Sequence, residues 1–201
     1  MRFGDWNFIA IFAEKISIMP TDPSIAMQFE EHVREDLQEF LKRKGVLDAR
    51  VPECPDVEEK WGVIARAYLP DGAREFAGYP VVSLGWMMLI GRAMAFYWDQ
   101  DWESHGSRDD YYECLRDRRG YDYLDEVIVG EILGYPEADA QAVSDLSAES
   151  ASRVLSMLRH APVEAGTPEA FACYVAAMHQ LYLAGMAVEL NALGYHMEPL
   201  N

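Results

Sequence analysis

Hydrophobic residues recur along this chain with the spacing of an α-helix, and no stretch shows the sustained alternation of a half-buried strand. The clearest helical pattern spans residues 24–44, where apolar positions mark one face and charged positions the other. Pro23 suits the first turn of this helix, and the basic residues before Gly45 complement the negative end of its dipole. A second amphipathic pattern predicts a helix over 56–69, which we expect to end before Pro70.

Two segments, about 81–98 and 169–193, are apolar on almost every side. Each is long enough to cross a bilayer, for which about 20 residues are needed. We reject a membrane span because Arg92, in the middle of the first segment, would cost about 2.5–3.5 kcal/mol there, and neither segment has a basic flank. They are therefore predicted to be the buried central helices of a bundle. Since a buried guanidinium needs a partner, we expect Arg92 to pair with Glu189 of the second segment.

Shorter helical patterns account for much of the remaining chain. They fall at 5–19, 108–119, 121–133 and 137–160, and Pro and Gly residues lie between them. No internal repeat or low-complexity tract divides the sequence. The patterns predict an all-α fold with a single domain over 1–201, built as a helical bundle of about seven to nine helices.

Composition narrows the possible functions. Half of the 201 residues are hydrophobic, the formal net charge is −17, and the three cysteines form no C-x-x-C pair. Such a chain can form a core without disulfides or a structural metal. Its negative charge argues against binding to nucleic acid or to anionic membranes. Because no export signal is evident either, we expect a soluble cytoplasmic protein of bacterial type.

Residues 97–126 combine acidic, aromatic and basic side chains more densely than any other stretch, and we expect a functional site there. Within it, Asp109, Asp110 and Glu113 form a D-D-x-x-E pattern. If residues 108–119 are helical, Asp109 and Glu113 lie one turn apart on the same face. Carboxylates in this arrangement are able to bind Mg²⁺ or Mn²⁺.

Nearby arginines add a candidate anion site to this pattern. Arg116 and Arg119 follow the acidic residues along the chain and are suited to hold a phosphate group, while Arg92 is a further candidate if it lines the floor of a pocket. The acidic pattern resembles, over five residues, the aspartate-rich motif of isoprenoid diphosphate enzymes, which implies a diphosphate substrate. The competing interpretation is a solvated helix face whose acids pair with neighbouring bases.

Trp98, Trp102 and His179 are further candidates for lining a pocket. His179 lies in an apolar helix, where it is either a general base, a metal ligand or a hydrogen-bonded core residue. The acids around Trp102 partly follow the spacing of a calcium-binding loop, but Ser104 stands where the sharp turn requires Gly. We therefore interpret this stretch as an acidic loop.

Three functional hypotheses follow. Because no complete catalytic motif is present, the first is a binding or interaction module without catalytic activity, whose acidic surface binds a basic protein partner or forms a homo-oligomer. The second is a divalent-metal enzyme that acts on a phosphate or diphosphate compound through Asp109, Asp110 and Glu113. The third, supported by charge alone, is mimicry of nucleic acid toward a basic protein.

Overall fold

The computed structural model describes residues 23–196, and no strand occurs in this range. The helices are α1 (Pro23–Arg43), α2 (Pro55–Glu58), α3 (Trp61–Phe76), α4 (Pro80–His105), α5 (Tyr111–Arg119), a 3₁₀ turn (Tyr121–Tyr123), a π-helix (Glu126–Ile132), α6 (Glu137–His160) and α7 (Pro168–Ala192). The all-α helical bundle predicted from the sequence is confirmed. The helix predicted over 5–19 lies outside the described residues.

Helices α4 and α7 form the centre of the bundle and carry most of its helix–helix packing. Both are long and apolar enough to cross a membrane, yet 67% and 72% of their most apolar windows are buried by the rest of the structure. This burial is typical of the core helices of a soluble protein and confirms the two predicted central helices. Thr167 begins α7 as its N-cap, because its Oγ1 accepts a hydrogen bond from the backbone N–H of Ala170 at 3.2 Å.

Two glycines allow the backbones of α4 and α7 to touch. A Cβ atom on Gly91 of α4 would overlap the carbonyl oxygen of Tyr182, and one on Gly185 of α7 would overlap the carbonyl oxygen of Met88. Only glycine permits this approach, since any other residue would hold the two helices apart. The crossing point of the central pair is therefore fixed by these two positions.

Buried hydroxyl groups connect α3 to the central pair. The Tyr68 hydroxyl donates to the carbonyl oxygen of Ser83 at 2.5 Å and lies 3.0 Å from the hydroxyl of Tyr121. Ser83 in turn donates from Oγ to the carbonyl oxygen of Gly72 at 2.7 Å, and this Oγ lies 2.9 Å from the hydroxyl of Tyr174. Burial raises the pKa of the Tyr68 hydroxyl well above its ordinary value, so it stays a neutral donor.

The predicted helix over 56–69 differs from the structure at both ends. The helix is interrupted after Glu58. Helix α3 then begins at Trp61 and continues through Pro70 to Phe76. Pro70 cannot donate a hydrogen bond to the carbonyl group of Arg66, and both residues are exposed. Ala73 and Phe76, which follow in the same helix, are buried. The free energy gained by burying the final turn exceeds the cost of a proline within the helix.

The single helix predicted over 121–133 is also wrong in detail. It is replaced by the 3₁₀ turn and the π-helix, which ends at Ile132, two residues before Gly134 with its φ of 66°. Val127, Ile128 and Val129 are all buried within the π-helix. A regular α-helix does not place three successive side chains on one face, so packing against the core explains the wider turn.

We predict that Gly185→Ala destabilises the protein by about 1–3 kcal/mol through overpacking, although alanine is favoured over glycine in a helix by about 1 kcal/mol. Urea unfolding followed by circular dichroism measures the change. Gly62→Ala in α3 is the matched control, because its new Cβ would lie 3.7 Å from the Arg66 guanidinium, an ordinary contact. Equal effects of the two substitutions would contradict the backbone contact between α4 and α7.

Candidate functional site

The D-D-x-x-E pattern does not lie on one helix. Helix α5 begins at Tyr111, so Asp109 belongs to the preceding loop and Asp110 occupies the N-cap position. The guanidinium of Arg108 holds both oxygens of Asp110, with Nε 3.0 Å from Oδ1 and Nη2 3.2 Å from Oδ2. This paired contact fixes Asp110 outside the helix, and Asp109 and Glu113 therefore do not share a helical face as we had predicted.

The other two acids of the pattern, Asp109 and Glu113, make separate contacts. Asp109 is exposed, and Lys60 Nζ lies 3.8 Å from its Oδ1. Glu113 has a buried Oε2 that no described residue contacts by a hydrogen bond. Within residues 23–196, no three His, Cys, Asp or Glu side chains are grouped so as to hold a metal ion. The contacts of this segment are those of a salt-bridged surface.

The two candidate phosphate-binding arginines of α5 are held by carboxylates. Arg116 Nη2 lies 3.0 Å from Asp117 Oδ1, and its Nη1 lies 3.4 Å from Asp71 Oδ2. Arg119 Nη1 lies 2.7 Å from Glu126 Oε2. Each of the four arginines between residues 108 and 131 is thus paired with at least one carboxylate.

Arg92 lies within the central helix pair, with only 4% of its surface exposed. Its Nε and Nη2 are both 2.7 Å from Glu189 Oε2, which is the pairing expected from the sequence. Nη2 also donates to the Tyr135 hydroxyl at 3.1 Å. The guanidinium is therefore engaged by a carboxylate of α7 and a tyrosine from the loop before α6.

His179 links α7 to α1 and α3. Its Nδ1 lies 2.6 Å from Glu30 Oε1, and its ring stacks on Trp61 with the centroids 4.8 Å apart. Gln180 Nε2 donates to the same Glu30 oxygen at 3.0 Å. The hydrogen bond with His179 lowers the pKa of the Glu30 carboxyl, so Glu30 remains a charged acceptor at neutral pH.

The two tryptophan candidates lie near the end of α4 and make different contacts. Trp98 Nε1 donates to Asp56 Oδ2 at 3.2 Å, and its ring meets the edge of Tyr195 with centroids 5.3 Å apart. Trp102 packs beside Gly106, where an added Cβ would meet the indole at 2.9 Å. The contacts of these two tryptophans do not include His179, so the structure does not join the three candidates directly.

Around Trp98 lies an acidic surface that sequence reasoning did not single out. We call it the acidic end. Its members Asp48, Asp56 and Asp99 are joined by the contacts given below, and Glu53, Glu58 and Glu59 adjoin Asp56 along the chain. Tyr195 donates to Asp99 Oδ1 at 2.8 Å, and the next residue, His196, places Nδ1 2.6 Å from Asp48 Oδ2. These two contacts and the Trp98 contact with Asp56 bring the 44–54 loop, α2 and the end of α4 together.

The acidic end differs from the 108–131 segment in its charge balance. Leaving Arg50 and Arg159 aside, no Lys or Arg nitrogen of the described residues lies within 4.0 Å of a carboxylate oxygen of its six members, and Asp48 is held by His196. Four of the six are visible in the sequence as acids between Arg50 and Lys60. The addition of Asp48 and Asp99 depends on the tertiary contacts of residues 195 and 196, which no local pattern reveals.

A groove of about 180 Å³ opens beside the acidic end, between α1, the 44–54 loop and α7. Glu53 and Glu58 belong to both features, because they line the groove as well. A wider cavity of about 400 Å³ lies between α1, the end of α6 and the start of α7, and its lining contains no Asp or Glu. Of these two, the smaller groove is therefore the one that shares residues with the acidic end.

No protein-family model matches the chain, and no curated protein or solved structure is significantly similar to it. Its function has to be inferred from the geometry of the described residues.

We predict that divalent cations give no selective thermal stabilisation, because the three acids of the D-D-x-x-E pattern lack a common focus. The thermal midpoint would be measured after EDTA treatment and again with Mg²⁺ or Mn²⁺, each with and without pyrophosphate. A ligand at a hundredfold its dissociation constant adds about 2.7 kcal/mol, which raises the midpoint by several degrees. The double variant Asp109→Ala/Glu113→Ala serves as the control. A rise with metal that grows with pyrophosphate and disappears in this variant would restore the metal-enzyme hypothesis.

Proposed function

We propose that this protein is a non-catalytic binding module that docks a basic protein segment on its acidic end. The observation that carries the proposal is the excess of negative charge on that surface: with Arg50 and Arg159 set aside, no Lys or Arg of the described residues pairs with its six carboxylates, and the indole of Trp98 and the ring of Tyr195 lie beside them. Carboxylates left without bases attract a cationic partner and orient it. Aromatic rings beside them provide contact area and cation–π acceptors for Lys and Arg side chains.

The contrast with the 108–131 segment supports this choice of surface. There Asp110, Asp117 and Glu126 are occupied by arginines of the chain itself, so a partner that bound these carboxylates would have to displace existing ion pairs. A basic partner that pairs with the three glutamates of the acidic end leaves its internal contacts, those of Asp48, Asp56 and Asp99, unbroken. The side chains of Glu53, Glu58 and Glu59 are also exposed, so a partner can reach them.

A basic partner fits this surface better than a second copy of the chain. A symmetric dimer formed through the acidic end would place the same six carboxylates opposite one another, and like charges across an interface are unfavourable. The net charge of −17 further disfavours self-association. We place this binding activity in the cytoplasm, on the sequence grounds given above and on the burial of both apolar helices.

The proposal predicts that a Lys/Arg-rich peptide binds with an affinity that falls steeply with added salt. Fluorescence anisotropy of a labelled peptide would give the dissociation constant of the wild type and of the triple variant Glu53→Gln/Glu58→Gln/Glu59→Gln. An exposed ion pair contributes ~0.5 kcal/mol, so removing three carboxylates should weaken binding about tenfold. The matched control is Glu137→Gln/Asp139→Asn/Asp145→Asn on α6, which removes the same charge from a distant surface and should leave the affinity nearly unchanged.

Two results would overturn the proposal. One is the absence of measurable binding at low salt. The other is an equal loss of affinity in the two triple variants, which would show that only the total charge of the protein matters.

A further inference from the structure

The groove between α1 and α7 combines an apolar floor with a charged rim. Its floor is formed by Leu37 and Leu41 of α1, Val51 of the 44–54 loop, and Leu183, Ala184 and Ala187 of α7. Glu53 and Glu58 lie at its edge and belong to the acidic end. Arg34, which pairs with Glu31, also lines the groove, so the cationic part of a ligand has to meet the rim on the side of Glu53 and Glu58.

Gln180 supplies a polar feature that points to a ligand. Its side chain is only 7% exposed and lines the groove, and its Nε2 is used by Glu30. Its Oε1 accepts no hydrogen bond from any other residue of the described range. This oxygen is not among the fully buried side-chain atoms that lack a partner, so it is an accessible acceptor that a donor of a bound ligand can reach.

Glu30 and His179 fix the orientation of this amide. Because Glu30 Oε1 is an acceptor only, the side chain of Gln180 must present its NH₂ group to it and direct Oε1 elsewhere. His179 holds the same carboxylate oxygen at 2.6 Å and is itself stacked on Trp61. The acceptor is therefore held in place before any ligand arrives, which reduces the entropy cost of binding.

The size of the groove limits what it accepts. At about 180 Å³ it is smaller than the ~300 Å³ at which pockets for small-molecule ligands and cofactors begin. It is comparable with the engineered protein cavity of about 150 Å³ that admits benzene. One aromatic or large aliphatic side chain thus fills it.

We propose that this groove receives a single apolar anchor side chain of the basic segment, with a donor of that segment on Gln180 Oε1 and its flanking cationic residues on Glu53 and Glu58. This inference rests on the proposed function and gives the partner a more specific chemistry: a Lys/Arg-rich segment interrupted by one large apolar residue. The cationic residues supply attraction and register, and the anchor supplies burial.

The test compares two peptides that differ at one position. Both are rich in Lys and Arg, and one has a central Phe where the other has Ser. Burial of a Phe side chain should make the first peptide bind about tenfold to a hundredfold more tightly to the wild type. Ala184→Phe would fill the groove and reduce this ratio to about one, while the affinity for the Ser peptide stays the same.

Ala148→Phe is the matched control, since it introduces the same side chain at an exposed position of α6 and should preserve the preference for Phe. Circular dichroism verifies that both variants fold. Equal binding of the two peptides to the wild type, with the salt dependence retained, would overturn the anchor groove and leave the proposed function standing. An undiminished preference in Ala184→Phe would also overturn it. Absence of binding by either peptide would overturn the proposed function as well.

Discussion

The contact between the backbones of α4 and α7 is the constraint on which the rest of this structure depends. Gly91 and Gly185 each face a carbonyl oxygen of the opposite helix, so the two backbones are in contact at positions where no Cβ atom fits. Beside this crossing, Arg92 and Glu189 form a buried ion pair that Tyr135 completes. A buried ion pair contributes little net stability, but removing one of its two partners is strongly destabilising. The pair therefore fixes the register of the two helices.

The position of the central pair determines where the functional surface forms. Helix α7 presents Gln180 and the small side chains of Ala184 and Ala187 to α1, and the gap between them is the groove. Near the end of α4, Trp98 contacts Asp56 of α2 and Asp99 contacts Tyr195. The acidic end and the groove are therefore neighbours because both are built on the ends and outer faces of the same two helices.

Sequence reasoning predicted the parts of this fold that depend on burial. The apolar segments identified α4 and α7, and the need of a buried guanidinium for a partner identified the pair of Arg92 with Glu189. It missed features that arise from competition between local and tertiary effects. Pro70 remains helical because the turn that follows it is buried. Asp110 lies before the first residue of α5, where Arg108 donates a hydrogen bond to its carboxylate.

The candidate surface was harder to predict than the fold, for a similar reason. Density of acidic and aromatic residues drew attention to 97–126, but density does not tell which carboxylates are already neutralised by neighbouring bases. The structure shows Arg116 and Arg119 occupied by acids, whereas the side chains of Glu53 and Glu58 are exposed beside the groove. The unbalanced charge is assembled from segments far apart in the sequence, and only their tertiary contacts reveal it.

The most direct measurement is a ¹H–¹⁵N NMR titration of the protein with the Phe-containing basic peptide. Amides in the 44–54 loop and α2, together with those near Leu37 in α1 and Ala184 in α7, should show the largest shift changes. Changes concentrated instead between residues 108 and 119 would contradict a binding surface at the acidic end.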